Sequence, residues 1–319
     1  MFTIKQPQKI IFGKNSAKQF EFPKNPLVIS SNGCTSRKWI EYLGLKDFIL
    51  FDEVEPNPSI GTVEKILSKF AKSEFEYIIG LGGGSSLDVA KFVGYKFGKK
   101  KITVPTTFGS GSEVTRISVL MVDGKKKSFH DDEIIADIAI VDPNFIHNTP
   151  YEIIKNSAID ASAQCTEGYD SKNGNAYTRF LCNTAFGILE DAIINKKYER
   201  LALGSLITGL GFGNSSTTLG HALSYVFSNE GYKHGHALAF TTTVSHQFNN
   251  SIFYERFLNL VKKMGFEQVV LKQNLDRASE IILQDKKHLD NNPKPVVKKD
   301  IISLLMKINN NKILHTNYF

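Results

Sequence analysis

The chain has 319 residues, 41% apolar and 22% charged, the balance of a soluble globular protein with material for two domains, so disorder is a poor reading. Its 39 basic residues exceed 32 acidic ones to leave a net charge of +7, but the excess is diffuse, without the groove-reading or stacking motif that nucleic-acid binding needs. No run approaches the roughly 20 apolar residues of a membrane span, and the opening MFTIKQPQKIIFG lacks the apolar core of a secretory signal, which makes the cytoplasm the expected location.

In chain order, the first half alternates short apolar runs with amphipathic stretches. Pro26–Ser30, Asp47–Phe51, Tyr77–Leu81, Ile102–Val104 and Ile138–Val141 read as strands bounded by Gly, Pro or Asp. Val63, Ile66, Leu67 and Phe70 recur at helical spacing just after the Pro58-Ser59 start signal. Strands alternating with helices predict a parallel, doubly wound (Rossmann-like) α/β sheet, with ligands at the carboxyl ends of its strands. Beyond Pro150 helical patterns take over, as in Ala176–Ile194 and Phe253–Leu283. The expected division is an α/β domain over residues 1–149 and an all-α domain over 150–319, packed closely around a cleft because the junction is a turn rather than a flexible linker. The Lys/Asn-rich end from Asp285 reads as surface helix and loop. Cys34, Cys165 and Cys182 are odd in number and lack CxxC spacing, so they read as buried free thiols.

Two glycine-rich loops carry the first chemical signal. The strand-like EYIIGLG runs into Gly82, Gly83 and Gly84 and then into a helix, which lets backbone N–H groups approach a phosphate without Cβ obstruction. A second loop, VPTTFGSGSEVT over Val104–Thr115, again follows a strand and gathers hydroxyls and glycines. Two such loops at adjacent strand ends point to nucleotide binding more strongly than to tight turns. Further on, Asp160 and Gln164 lie four apart on one helix face, and GHALSYVF and YKHGHALAF supply His221 and His234. One carboxylate and two imidazoles suit Zn²⁺ or Fe²⁺, although scattered histidines are by themselves a weak indicator.

Taken in order, KIIFG, VEPNPS, GGGSSLDVAK, PTTFGSGSEVT, IVDP, DASAQCTEGYDS and the pair GHALSY and HGHALA resemble the iron-containing (group III) alcohol dehydrogenase superfamily over about residues 8 to 240. The resemblance implies a dehydroquinate synthase-like fold, an NAD(P)-binding first domain, a metal-binding helical second domain, and substrate between them. It implies cofactor contacts from Gly82, Gly83, Gly84, Ser85 and Asp88 in one loop and Thr106, Thr107 and Ser112 in the other. It also implies metal ligation by Asp160, His221 and His234, with Lys126 in GKKKS near the nicotinamide.

Three departures qualify the pattern. Gln164 stands where the iron enzymes place a further histidine ligand, leaving the one-aspartate, two-histidine set of the related glycerol dehydrogenases. Tyr225 replaces another histidine and is a candidate hydrogen-bond donor or proton relay. Ser31 replaces the aspartate that ends the first strand at the adenosine ribose; without that carboxylate a 2′-phosphate is not repelled, and Arg37 or Lys38 could pair with it, which favours NADP over NAD. The set is most similar to the phosphonoacetaldehyde reductase-like branch, which implies an aldehyde reductase for a small, anionic substrate, possible as a homodimer. A lyase or cyclase of the dehydroquinate synthase type and a non-catalytic paralogue are the alternatives.

Overall fold

The structure, a computed structural model, describes residues 1–310. The chain separates into two compact units, Met1–Pro150 and Tyr151 onward.

The first unit runs β1 (Lys9–Phe12), α1 (Ser16–Gln19), β2 (Leu27–Ile29), α2 (Asn32–Ser36), α3 (Trp39–Tyr42), β3 (Ile49–Phe51), α4 (Ile60–Lys69), β4 (Tyr77–Gly82), α5 (Gly84–Phe97), β5 (Lys100–Pro105), β6 (Ile117–Val122), β7 (Lys125–His130) and β8 (Ile138–Val141). Six strands form one sheet in the order β1-β8-β5-β4-β2-β3, and every pairing in it is parallel. Buried on both faces, β2 and β4 are almost purely apolar, as a parallel sheet covered by helices requires. The chain leaves β2 towards β3 on one side and resumes with β4 on the other, so the strand order reverses between β2 and β4. The crevice beyond the carboxyl ends of those two strands is where such a sheet takes a ligand.

Local signals explain the elements. Ser59 caps α4 by accepting from the Thr62 N–H, and Val63 and Ile66 face the core. β1 and the antiparallel hairpin β6–β7 are additions to the sequence reading. The lysines of KKKSFH look like a solvent loop, and they form a strand because β6 offers a partner.

The second unit is helical: α6 (Tyr151–Asp170), α7 (Ala176–Ile194), α8 (Leu201–Phe212), α9 (Leu219–Asn229), α10 (His234–Asn249), α11 (Tyr254–Met264), α12 (Leu275–Leu283), α13 (Lys286–Asp290) and α14 (Lys298–Asn309). Two expectations need correction. The pattern over Phe253–Leu283 is two helices, because Gly265 caps α11 in the left-handed region at φ 63°, a conformation that favours glycine. The end from Asp285 is also more than surface: His288, Leu289 and Asn292 are buried, and α14 turns Ile301, Leu304, Leu305 and Ile308 inward while Lys299 is exposed. All three cysteines are buried free thiols. Among the described residues no helix is long and apolar enough to cross a membrane.

Candidate metal centre and cofactor loops

The three glycines at the head of α5 are each needed by a neighbour. Gly82 has φ +148°, and a Cβ there would lie 2.7 Å from Ser86 Oγ. A Cβ on Gly83 would lie 3.0 Å from Thr107 Oγ1, and one on Gly84 would lie 2.8 Å from Ser110 Oγ. The triplet therefore lets the second loop lie directly against the first, and the Thr106 N–H donates to Gly82 O at 2.9 Å to hold it there. Ser85 occupies the first turn of α5, half-buried. The head of α5 beyond this loop contact is a helix N-terminus, whose first N–H groups have no partner within the helix, and such an end fits a pyrophosphate.

Asp88 works from inside this arrangement. Its Oδ1 accepts from Ser112 Oγ at 2.5 Å and its Oδ2 from the Val119 N–H at 3.0 Å, so it ties α5 to the far end of the second loop. Lys91 lies 3.5 Å from Asp88 and donates to Thr115 O at 3.1 Å. Ser31 stands just before α2 at the carboxyl end of β2, its Oγ turned to Cys34 Sγ at 3.7 Å. Next to it Arg37 donates to Gly33 O at 2.8 Å and stacks over Trp39 at 5.1 Å, so a guanidinium does stand at this strand end. Lys126 lies on β7 opposite Met121, half-buried near the hairpin turn.

In the helical unit, Asp160, His221 and His234 come together although they lie on α6, α9 and α10. Their ligand atoms fall within 4.8 Å of one another. Both imidazoles turn Nε2 to the same oxygen: Asp160 Oδ1 is 3.9 Å from His221 Nε2 and 3.8 Å from His234 Nε2. The opposite ring nitrogens decide what those Nε2 atoms carry. His221 Nδ1 donates to Glu167 Oε2 at 2.5 Å. Ser224 Oγ donates to His221 O at 2.8 Å, which leaves its oxygen to accept from His234 Nδ1 at 3.5 Å. Two nitrogen lone pairs and a carboxylate oxygen thus converge, an arrangement that repels itself without a cation at its centre.

Gln164 strengthens the fit. It is 5% exposed, its amide N–H donates to Asp160 Oδ1 at 2.9 Å, and its Oε1 is a buried acceptor without a hydrogen-bond partner. Gln164 thereby orients the aspartate through its N–H.

Glu167 escaped the sequence reading, and a signal for it existed in its place one helical turn beyond Gln164. Its carboxylate accepts from the Thr218 N–H at 3.1 Å, the Gly220 N–H at 2.5 Å and His221 Nδ1, capping the start of α9 from another helix. Burial alone would raise its pKa, but the charge and hydrogen bond of His221, with His246 and the Thr218 N–H, outweigh this and hold it at about 2. A Cβ on Gly220 would collide with Glu167 Oε1 and Thr242, so the glycine is what lets the carboxylate reach His221.

Tyr225 stacks on His234, ring centroids 6.3 Å apart and 11° between planes. Desolvation, then the carboxylates of Asp285, Glu167 and Asp160, push its phenol well above the ordinary range, so it stays protonated and its O–H is available to donate. Asp285 and His288 also reach this site and carry no motif to announce them. His288 Nδ1 lies 2.6 Å from Asp285 Oδ2, and its ring stacks 6.2 Å from that of His221.

The chain is similar to known proteins over both of its units. Residues 7–143 match the iron-containing alcohol dehydrogenase family, and residues 154–284 match the C-terminal region of the Fe-containing alcohol dehydrogenase family. The chain is 32% identical over 209 residues to the 4-hydroxybutyrate dehydrogenase of Clostridium kluyveri, a match covering 56% of each chain. It thus spans little more than half the length of curated relatives of this kind. In fold it is similar to an iron-containing alcohol dehydrogenase of Thermotoga maritima, with a TM-score of 0.87 at 23% identity over 97% of this chain and 100% of that one. It is similar too to the sulfoacetaldehyde reductase of Bifidobacterium kashiwanohense in complex with NAD+, with a TM-score of 0.87 at 21% identity over 98% and 99% of the two chains.

Proposed function

The chain belongs to the iron-containing alcohol dehydrogenase family, and on that premise we propose that it interconverts a small aldehyde and its alcohol with a nicotinamide cofactor and one divalent metal ion. The convergence of Asp160, His221 and His234 on one point is the observation that carries this reading. When bound, the metal would polarise the substrate oxygen and the nicotinamide would give or take the hydride.

The chain's own residues prepare both. Asp160 brings the single negative charge of the ligand set, and Glu167 and Ser224 keep the two imidazoles in the tautomer whose Nε2 accepts a metal. With one carboxylate and two imidazoles, the set suits Zn²⁺ as well as Fe²⁺. The Tyr225 phenol, always protonated, is available to donate a hydrogen bond to the substrate. Gly82, Gly83, Gly84 and Ser85 form the pyrophosphate cradle, backed by Thr106, Thr107 and Ser112, with Asp88 as the strut behind them. Lys126 is assigned to the nicotinamide end.

Two finer assignments complete the reading. Ser31 with Arg37 nearby favours NADP over NAD, because a 2′-phosphate meets a guanidinium and no carboxylate at that residue. The net charge of +7 favours an anionic aldehyde such as a phosphonate. Metal analysis of the purified protein, with NADPH and NADH oxidation over a panel of neutral, sulfonated and phosphonated small aldehydes, tests all of this. One metal per chain and a higher kcat/KM with NADPH are expected, and His221→Ala should lose both metal and turnover. A His221→Ala protein that keeps both removes the proposal, and product formation without net NADPH consumption would point instead to the lyase or cyclase alternative.

A further inference from the structure

Resting on that nicotinamide-cofactor reading, we propose that Glu113, buried behind the second glycine-rich loop, couples cofactor binding to pH: binding takes a proton from solvent onto its carboxyl, and ionising that carboxyl weakens binding. Glu113 directly follows Ser112, one of the residues assigned to the cofactor, and is 2% exposed.

Three ionisable side chains share the space between α5 and this loop. Asp88 accepts from Ser112 Oγ at 2.5 Å and from the Val119 N–H at 3.0 Å. Lys91, fully buried, lies 3.5 Å from Asp88 and also donates to Thr115 O at 3.1 Å and to Ile117 O at the start of β6. Glu113 is held otherwise. Thr103 Oγ1 of β5 donates to its backbone carbonyl at 2.9 Å and lies 3.4 Å from Ile138 O of β8, so those two strands bring no charge to this point. Its carboxylate Oε1 is buried without a hydrogen-bond partner. Lys91 is the charged side chain that acts on Glu113, and Lys91 is itself drawn more strongly to Asp88. One cation therefore serves two carboxylates. Asp88 has that cation and two donors, whereas Glu113 has an unpaired oxygen, so Glu113 is the carboxyl that gives way and holds a proton. Burial, opposed by its own backbone N–H and by Lys91, pushes it up to about 7.

With its proton, Glu113 leaves Asp88 and Lys91 as a balanced pair; without it, the cluster carries one uncompensated negative charge. The same loop lies against the pyrophosphate cradle. Ser110, the residue that a Cβ on Gly84 would strike, accepts the Ser112 N–H at 3.3 Å, so consecutive contacts run from the cradle to the Glu113 peptide. A buried carboxylate behind the loop opposes the phosphate charges through an interior that screens poorly, and a neutral carboxyl does not. The bound state thus favours the proton, and affinity falls as pH rises through about 7. The proton comes from solvent and forms an O–H bond on Glu113, with no other bond made or broken. Glu113 acts through the loop and is a positioning residue, without contact to the reacting atoms.

The test titrates wild type and Glu113→Gln, which keeps the shape and is permanently neutral, with NADPH by fluorescence from about pH 6 to about pH 8.5. The ratio of the wild-type Kd to that of the variant should rise by about threefold or more over this range, the change that a half-unit rise of the Glu113 pKa on binding produces. Asp88 and the 2′-phosphate of NADPH titrate in both proteins and cancel in the ratio, and a merely structural role leaves the ratio constant. Calorimetry with NADH, which lacks the 2′-phosphate, in two buffers of different ionisation enthalpy at about pH 7.5 reads the proton directly. Wild type should take up protons on binding and Glu113→Gln none, and the wild-type measurement stands by itself should the variant not fold. A constant Kd ratio, or binding of NADH by wild type without proton uptake, overturns the inference alone. A wild-type protein that binds neither NADPH nor NADH at any pH overturns the cofactor reading, and this role with it.

Discussion

His246 and Asp170 show how single buried residues set the acid response of the helical unit. His246 is 1% exposed, and burial lowers its pKa to about 4, with Glu167 acting in the opposite direction. An unfolded imidazole takes its proton near 6.5, so the stability gained by keeping His246 neutral is complete above that value and is lost as pH falls towards 4. Asp170, whose Oδ2 lies 3.6 Å from His246 Nδ1, runs the other way. Burial raises it from 3.8 to about 6, so the native carboxyl binds a proton before the unfolded one does and the protein gains stability over nearly the same interval. Each contribution is about 3 kcal/mol across the window, and they oppose. In urea unfolding with chelator present, relative to wild type, His246→Gln should gain stability on acidification from pH 6.5 to 4 and Asp170→Asn should lose it. Equal slopes in the three proteins would contradict the assignment. Glu167 belongs to the same scale: one carboxylate anchors a helix start and sets the tautomer of a ligand.

At the scale of elements, two loops of the first unit act as one because glycine allows it. The second loop touches the first at Gly82, Gly83 and Gly84, and a methyl group at the third would stand 2.8 Å from Ser110 Oγ. Gly84→Ala should therefore push the loops apart and weaken NADPH binding by about tenfold or more, since roughly 1.4 kcal/mol of lost contact suffices for that factor. Metal content should be untouched, because the ligand set lies on α6, α9 and α10. Fluorescence titration beside metal analysis checks the pair of outcomes, and unchanged affinity would show that the phosphate lies elsewhere. The hairpin β6–β7 and the break at Gly265 belong here too, since neither is visible as periodicity. Lysine-rich β7 is a strand only through its pairing, and the helical repeat over Phe253–Leu283 continues across a glycine whose backbone ends the helix.

Over the whole molecule, a bound metal would join three helices that the chain otherwise connects through loops, and its binding free energy adds to folding. With free metal at about 100 times its Kd, the native protein gains roughly 2.7 kcal/mol. Thermal melts should show Tm rising with added Zn²⁺ or Fe²⁺ and falling with chelator, and His221→Ala should respond to neither. A wild-type melt indifferent to both would remove the metal centre.

Much was legible along the chain because local chemistry repeats there. Apolar runs bounded by turn residues marked β2, β3, β4, β5 and β8, the Ser59 cap opened α4, and the glycine triplet announced its own close approach. Asp160, His221 and His234 stood out through the ordered motifs around them. What only the tertiary structure decided is how residues far apart in sequence satisfy one another's polar groups. Glu167 meets the N–H groups at the head of α9 and the Nδ1 of His221 because α6 and α9 pack with Gly220 between them, and Gln164 turns its amide into Asp160. Asp285 and His288, in a stretch that reads as charged surface, arrive beside His221 and Tyr225 once α13 is folded under α9. Hydrophobic period and turn chemistry act over a few residues and can be read in order, whereas tautomers, orphaned acceptors and ring contacts depend on distances that exist only after packing.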